Sequence, residues 1–296
     1  MNHQHLRNRH NCLLPNYLLP NYLLPNYLLP ATCFLLLTIC ILVACGPQPL
    51  VVTREPVTLR LVAADTCGPL AETLAAVYEE TYPWVTVEID VFNAATAEQV
   101  LRSGEADLGL LSWLQNKPGI EPIWSQPFTR DGIAIIAHSD LPFAETGLIH
   151  LQDIYRGHVQ EWHGKILTIV SREHGSGTRT AFERIVLGGS GGAWAVTQTA
   201  VVMPSNEAVI AYVTHTPGAL GYISTLHLTE ALAEQVIVLS VEGVSPTPEA
   251  ITEGLYPLSR WLYLASVAEP TGEARQFAQW VLGPQGQGIV WQMTNE

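Results

Sequence analysis

Positive charge is scarce in this chain of 296 residues: 14 Lys and Arg stand against 27 Asp and Glu, a formal net charge of −13. Nucleic-acid binding draws its affinity from many cations that neutralise phosphates, so this balance excludes that class. Cysteines are few and unevenly placed. Of the five, Cys12, Cys33, Cys40 and Cys45 fall near the N-terminus and only Cys67 lies beyond. No C-x-x-C pair exists, which excludes zinc ribbons and thioredoxin-type exchange. Long apolar runs are also lacking: the one from Ala31 to Ala44 is shorter than the roughly 20 residues a membrane-spanning helix needs. What the chain does have is an apolar content of 48%, spread too evenly for a disordered tail. Its length suits one large domain or two lobes, each with a core.

The first 44 residues read as an address. They carry Arg7 and Arg9 and no acid, and then the short apolar run, which is the pattern of a secretory signal peptide. The run closes on Leu42-Val43-Ala44-Cys45-Gly46, which resembles a bacterial lipobox with Cys45 as the acylated first residue. An uncleaved anchor with a chance cysteine is the alternative. Leu-Leu-Pro-Asn-Tyr occurs three times between Leu13 and Tyr27; a proline every fifth residue forbids a regular helix, and tandem duplication or a start codon set too early is the expected origin, with no function assigned. Residues 45–57 contain three prolines and read as a tether. Without residues 1–44, which hold two of the bases and no acid, 27 acids face 12 bases. Cys67 would then be alone, and no disulfide within the chain could form.

From Thr58 onward short apolar runs alternate with helical stretches, which implies an α/β fold with a mainly parallel sheet and helices on both faces. Strands are expected at 59–62, 85–91, 107–111, 132–137, 166–170, 219–223, 236–239 and 262–265. Helices are expected at 69–82, 97–103, 151–155, 179–187, 205–215, 272–282 and 285–293. No single linker divides the halves, so two lobes would share the chain by crossing over.

The segment with most chemistry is the strand–loop–helix from Ile166 to Leu187. Its loop, Ser171-Arg172-Glu173-His174-Gly175-Ser176-Gly177-Thr178, opens directly onto a helix. A helix N-terminus offers unpaired N–H groups and about half a positive charge. Glycine lets backbone approach a ligand, and Arg172 adds a forked donor suited to a tetrahedral oxyanion. A plain helix cap by Ser176 or Thr178 would explain Gly-Ser-Gly-Thr alone; Arg172, four residues earlier, turns the reading towards an anion cradle. A nucleotide P-loop is excluded, since Thr178 is followed by Arg179 and no lysine is near. Gly188-Gly189-Ser190-Gly191-Gly192 spells G-x-S-x-G but follows a helix instead of a strand, so it lacks the context of a nucleophile elbow. The scattered histidines lack the spacing of a metal-binding helix, and no metal or cofactor is expected.

These residues, with Ala181-Phe182, resemble the signature of the phosphate-specific substrate-binding proteins of ABC transporters. The resemblance runs from about Thr58 to Met293. It continues through Gly104-Glu105-Ala106-Asp107-Leu108-Gly109, Asp131-Gly132-Ile133-Ala134-Ile135-Ile136, Ser205-Asn206-Glu207-Ala208-Val209, Pro217-Gly218-Ala219-Leu220-Gly221-Tyr222 and Tyr256-Pro257-Leu258-Ser259-Arg260, in the family's order. It implies a bilobal periplasmic-binding-protein fold of the second type, with two mainly parallel sheets and a ligand cleft between lobes. The implied lobes are 58–131 with 239–296, and 132–238. It further implies that Arg172, Ser176, Gly177 and Thr178 hold phosphate, that Thr66 and Ser112 contribute from the first lobe, and that Asn206 supports the site from the second.

The first lobe departs from the family. Its opening loop reads Ala64-Asp65-Thr66-Cys67 instead of small hydroxyl residues, and Phe92-Asn93-Ala94-Ala95-Thr96 replaces a loop rich in Gly and Ser. Some members carry a carboxylate at the Ser112 position to accept a proton from hydrogen phosphate. Sulfate has no proton to give and would meet an unpaired negative charge. Here Asp65 is the candidate for that task, with Cys67 beside it. The expectation is an extracytoplasmic, lipid-anchored monomer that is no enzyme, binds inorganic phosphate and passes it to an ABC permease. Alternatives are a receptor or sensor for sulfate or molybdate, a phosphate-ester hydrolase using Ser176 with His174, or a surface lipoprotein whose site has been lost.

Overall fold

A computed structural model describes residues 54–115, 118–188 and 195–295. The residues read above as a signal peptide and most of those read as a tether, with the repeats and Cys45, lie outside the described residues, as does the loop from Gly189 to Gly192.

The chain begins with β1 (Val57–Ala64), α1 (Gly68–Thr81), β2 (Val85–Phe92), α2 (Ala94–Ser103) and β3 (Leu108–Leu111). β1 lies between β2 and β3, parallel to both. Pro69 sits in the first turn of α1, where its missing N–H costs nothing. Asn93 caps α2 by accepting from the Thr96 N–H at 3.0 Å, so this helix starts three residues before the expected Ala97. Gly104 ends it in the left-handed region, with φ of 80°.

β4 (Trp124–His138) is the longest strand, and only its second half was legible as an apolar run. The first half carries Gln126, Pro127, Thr129 and Arg130 and is mostly half-buried, with Gln126 and Pro127 exposed and Pro127 beside an irregularity in the pairing, a position that tolerates a missing donor. Beyond β4 come α3 (Leu148–Tyr155), β5 (Thr168–Arg172), α4 (Gly177–Val186), β6 (Val201–Met203), α5 (Asn206–His215), β7 (Ala219–Ser224) and β8 (Val236–Val241). β9 (Ser259–Ser266), α6 (Gly272–Leu282) and α7 (Pro284–Asn295) close the chain.

The main path through the sheet is β2-β1-β3-β9-β4-β7-β5-β6, with β8 also paired to β4. β9 runs antiparallel to β3 and β4, while β7 and β8 run antiparallel to the second half of β4. The expected parallel ladders exist on each side, β2-β1-β3 and β7-β5-β6. Because β4 serves both halves, they join into one mixed sheet instead of two separate ones.

Apolar side chains gather in two main bodies. Leu59, Leu61, Leu70, Leu74, Leu108, Leu110, Phe128, Leu262, Leu264 and Phe277 form one. Ile133, Ile135, Leu151, Tyr155, Phe182, Leu220 and Tyr222 anchor the other, which also takes in Leu239, Val241, Ile251, Tyr256 and Leu258. The stretch 239–258 thus contributes Leu239, Val241, Ile251, Tyr256 and Leu258 to the second body, whereas Leu262 and Leu264 of β9 belong to the first. β4 and β9 are the strands that carry the chain between the two bodies. Asp131 on β4 and Arg260 on β9 share a register position.

Candidate functional site

The site is delivered by the turn after β1, the end of β3, the loop between β5 and α4, the start of α5 and the facing residues of β4 and β9. Gly175 in the β5–α4 loop has φ of 92°, a conformation that suits glycine, and it turns the chain so that α4 points its N-terminus inward. Ser176 caps α4, its Oγ accepting from the Arg179 N–H at 3.3 Å. The plain-cap reading of this serine is thus correct, but the hydroxyl still has a proton to donate. Gly177 fits tightly against the first half: a Cβ there would stand 2.2 Å from Ser112 Oγ and 3.0 Å from Ala94 Cβ. The Ala95 N–H donates to the Gly175 carbonyl at 3.0 Å across the same seam.

Arg172, at the end of β5, is fully buried. A buried guanidinium is stable only if it is paired and hydrogen-bonded. Its Nη2 donates to Asp65 Oδ2 at 2.6 Å, to Glu173 Oε1 at 3.2 Å and to the Pro204 carbonyl at 3.2 Å, and Nε donates to Glu173 Oε2 at 3.1 Å. Burial works against the charge, yet the carboxylates of Asp65 and Glu173 outweigh it and hold the pKa above its ordinary value. Tyr222 Oη accepts from the Arg172 N–H at 3.3 Å and bonds Ser171 Oγ at 2.8 Å, which fixes the strand end. Burial pushes the Tyr222 phenol up to about 12, so it remains a neutral donor.

Thr66 and Thr178 meet across the seam with their hydroxyl oxygens 3.1 Å apart. Arg260 Nη2 donates to Thr178 Oγ1 at 3.0 Å and to Thr66 Oγ1 at 3.4 Å. Arg260 is itself held by Asp131, with which it shares a register position between β9 and β4. Its Nε and Nη2 donate to Asp131 Oδ2 at 2.9 and 2.7 Å. Asp131 Oδ1 accepts from Ser224 Oγ and Thr225 Oγ1 at 2.7 and 3.1 Å. Asn206 spans the same region, its Nδ2 donating to Asp65 Oδ2 at 3.4 Å and its Oδ1 accepting from the Ser224 N–H at 3.1 Å.

Four buried polar atoms in this cluster have no hydrogen-bond partner among the described residues: Asp65 Oδ1, Ser112 Oγ, Arg172 Nη1 and Arg260 Nη1. Each such atom in an otherwise satisfied interior costs about 1–3 kcal/mol, so four in one polar cluster mark a place built for a polar ligand. Two cationic donors, one hydroxyl and one carboxylate, beside a helix N-terminus, fit a tetrahedral oxyanion that also carries a proton.

Of the residues named from sequence, Asp65, Thr66, Ser112, Arg172, Ser176, Gly177, Thr178 and Asn206 gather here. Cys67 is fully buried in the first apolar body, within electrostatic reach of Arg260, Asp131 and Asp65 but with no hydrogen bond to them, and burial pushes its thiol up. Arg260 received no site role from sequence, although it ended a motif already noted; its meeting with Asp131 across a strand pair is a long-range fact. His174 is exposed while Ser176 is fully buried. No group of three or more metal-ligating side chains occurs among the described residues, and no described helix is long and apolar enough to cross a membrane.

The family model for the PBP superfamily domain matches residues 51–285. The chain belongs to that superfamily. Among curated relatives, the phosphate-binding protein PstS of Bacillus subtilis is 25% identical over 232 residues, covering 76% of this chain and 75% of its own. PstS of Pseudomonas aeruginosa is 27% identical over 265 residues, covering 78% and 80%. A solved substrate-binding protein from Clostridium perfringens, described as a putative phosphate ABC transporter component with bound phosphate, superposes with a TM-score of 0.72 at 26% identity, over 80% of this chain and 98% of that one. An ABC-type phosphate transport receptor from Vibrio cholerae, at 22% identity and a TM-score of 0.68, shares the fold over 79% and 98% of the two chains.

Proposed function

We propose that this member of the PBP superfamily binds inorganic phosphate between two lobes and hands it to an ABC permease. The carrying observation is the convergence of Asp65 Oδ1, Ser112 Oγ, Arg172 Nη1 and Arg260 Nη1, all buried and unpartnered among the described residues, beside the N-terminus of α4. The two PstS relatives and the phosphate-bound neighbour support the choice of ligand. In this reading Arg172, Arg260 and Ser112 donate to phosphate oxygens, with Ser176, Thr178 and the Gly177 and Thr178 N–H groups at the helix end. Asp65 Oδ1 accepts the proton of hydrogen phosphate, which favours phosphate over sulfate and molybdate.

The energetics are sufficient. A micromolar ligand requires about −8 kcal/mol, and charge-assisted hydrogen bonds contribute roughly 1.5–3 kcal/mol each, so four to six of them cover binding and its ordering costs. The lobes of this proposal are 58–131 with the segment from β9 onward, and the intervening residues; closure about the seam between Gly177 and Ser112 would trap the anion. The lipobox-like ending at Cys45 and the preceding signal pattern support an extracytoplasmic, lipid-anchored monomer.

The test is calorimetry on the full chain in mild detergent after bound anion has been stripped. Micromolar phosphate binding that sulfate does not displace is expected, and Arg172→Ala should abolish it while circular dichroism stays unchanged. Undiminished binding in that variant would overturn the site.

A further inference from the structure

The segment that follows β3 is fixed to one body of the molecule and touches the other. Ser112 carries one of the unpartnered atoms of the anion cluster, and Trp113, next in the chain, packs against the first apolar body. The Gln115 N–H donates to Glu98 Oε2 at 2.9 Å, and Glu98 is a fully buried residue of α2. Arg102, one turn further along α2, donates through Nε to Glu98 Oε1 at 2.8 Å and through Nη1 to the Glu121 carbonyl at 2.7 Å. The indole therefore stands on a braced segment. Opposite it is Arg184 of α4, an exposed arginine between Phe182 and Val186, which belong to the second body. Its guanidinium carbon lies over the Trp113 ring, 5.5 Å from the centre. A cation attracts an aromatic face within about 6 Å.

Gly177 and Arg184 are seven residues apart on α4, close to two turns of about 3.6 residues each, so they lie on one face of the helix. At one end of that face Gly177 packs against Ser112, and near the other end Arg184 covers Trp113. Two chain neighbours of the first body are thus held at two points by a helix of the second. Resting on the phosphate reading above, we propose that Arg184 and Trp113 form a latch that keeps the two bodies together over bound phosphate and slows its release. Both are positioning residues, acting on the anion through closure and not by touching it. A contact made only when the bodies are together stabilises the closed form and leaves the encounter with the open form unchanged. Its loss should therefore appear in dissociation and not in association. At an exposed ring such a contact changes an equilibrium about two- to fivefold.

The test is a double-mutant cycle on the stripped full chain, with inorganic phosphate as the probe. Calorimetry gives the affinity, and the escape of bound radiolabelled phosphate into excess unlabelled phosphate gives the release rate. Arg184→Gln and Trp113→Leu should each weaken binding about two- to fivefold, wholly through faster release, with circular dichroism unchanged. The double variant should lose no more than either single one, because the same contact is broken in all three. Losses that multiply in the double variant would overturn the latch and leave the phosphate reading standing. So would a slower, salt-sensitive association in Arg184→Gln, which would make that residue a steering charge. Unchanged affinity and release in both single variants would overturn the latch as well, while no phosphate binding to the unaltered chain would overturn both readings.

Discussion

Asp65 Oδ2 and Arg172 Nη2 stand 2.6 Å apart although 107 residues separate them, and each leaves one buried atom, Oδ1 and Nη1, without a partner. The pair is a joint between the two halves and also half of a ligand cradle. Asp65 neutralises the buried arginine with one oxygen and keeps the other as an acceptor. If that acceptor selects a protonated anion, Asp65→Asn should erase the selection, because an amide can donate to sulfate. Competition titrations should show the preference for phosphate over sulfate falling at least tenfold. Unchanged discrimination would move the acceptor elsewhere.

Gly177 makes a separate prediction about closure. A methyl group there would meet Ser112 Oγ at 2.2 Å and Ala94 Cβ at 3.0 Å, contacts that require the halves to part. Gly177→Ala should weaken phosphate at least tenfold and leave the melting temperature nearly unchanged. Adding Ser112→Ala removes the closest clash, leaving the carbon at 3.3 Å, and should recover part of the lost affinity. No recovery in the double variant would show that the serine hydroxyl matters more as a donor than as an obstacle.

The Asp131–Arg260 pair is almost wholly enclosed, at 0% and 7% side-chain exposure. Breaking a buried pair strands a charge, which costs about 3–5 kcal/mol. Asp131→Asn should therefore lower the melting temperature by more than about 5 °C in a chain of this size. Asp131→Asn combined with Arg260→Leu should regain much of that stability while phosphate binding stays lost. A double variant that binds phosphate normally would remove Arg260 from the site.

Cys67 illustrates how the sequence and the structure divide the information. Its place in the Ala64-Asp65-Thr66-Cys67 run suggested a ligand contact, yet in the short turn that carries Asp65 and Thr66 the thiol is fully buried and belongs to the first apolar body. Which way a short 3-10 turn points its side chains is set by packing, not by local composition. A thiol reagent should modify Cys67 slowly, at the same rate with and without saturating phosphate. Arg172 and Ser176–Thr178 were legible because one contiguous loop carries all of their chemistry. Arg260 and Asp131 were not, since their meeting depends on the register of β9 against β4. The parallel ladders could be read from apolar runs, whereas the polar first half of β4, which joins the halves, offered no such run.

Glu207 provides a test by pH at the start of α5, beside Asn206. His227 Nδ1 lies 2.9 Å from its carboxylate, and that hydrogen bond, with help from Ser205 and against some burial, holds the Glu207 pKa at about 2, below the ordinary 4.5. A depressed carboxylate contributes stability that is complete above its unfolded value and disappears as pH falls through the folded one. The Glu207 side chain is 67% exposed, so solvent screening reduces the contribution to no more than about 1 kcal/mol. Glu207→Gln should thus melt about 1–3 °C below the unaltered protein at pH 7. The gap should narrow between pH 4.5 and pH 2. Thermal scans at pH 7, 5 and 3.5 would show it, and a gap that widened on acidification would reverse the assigned sign.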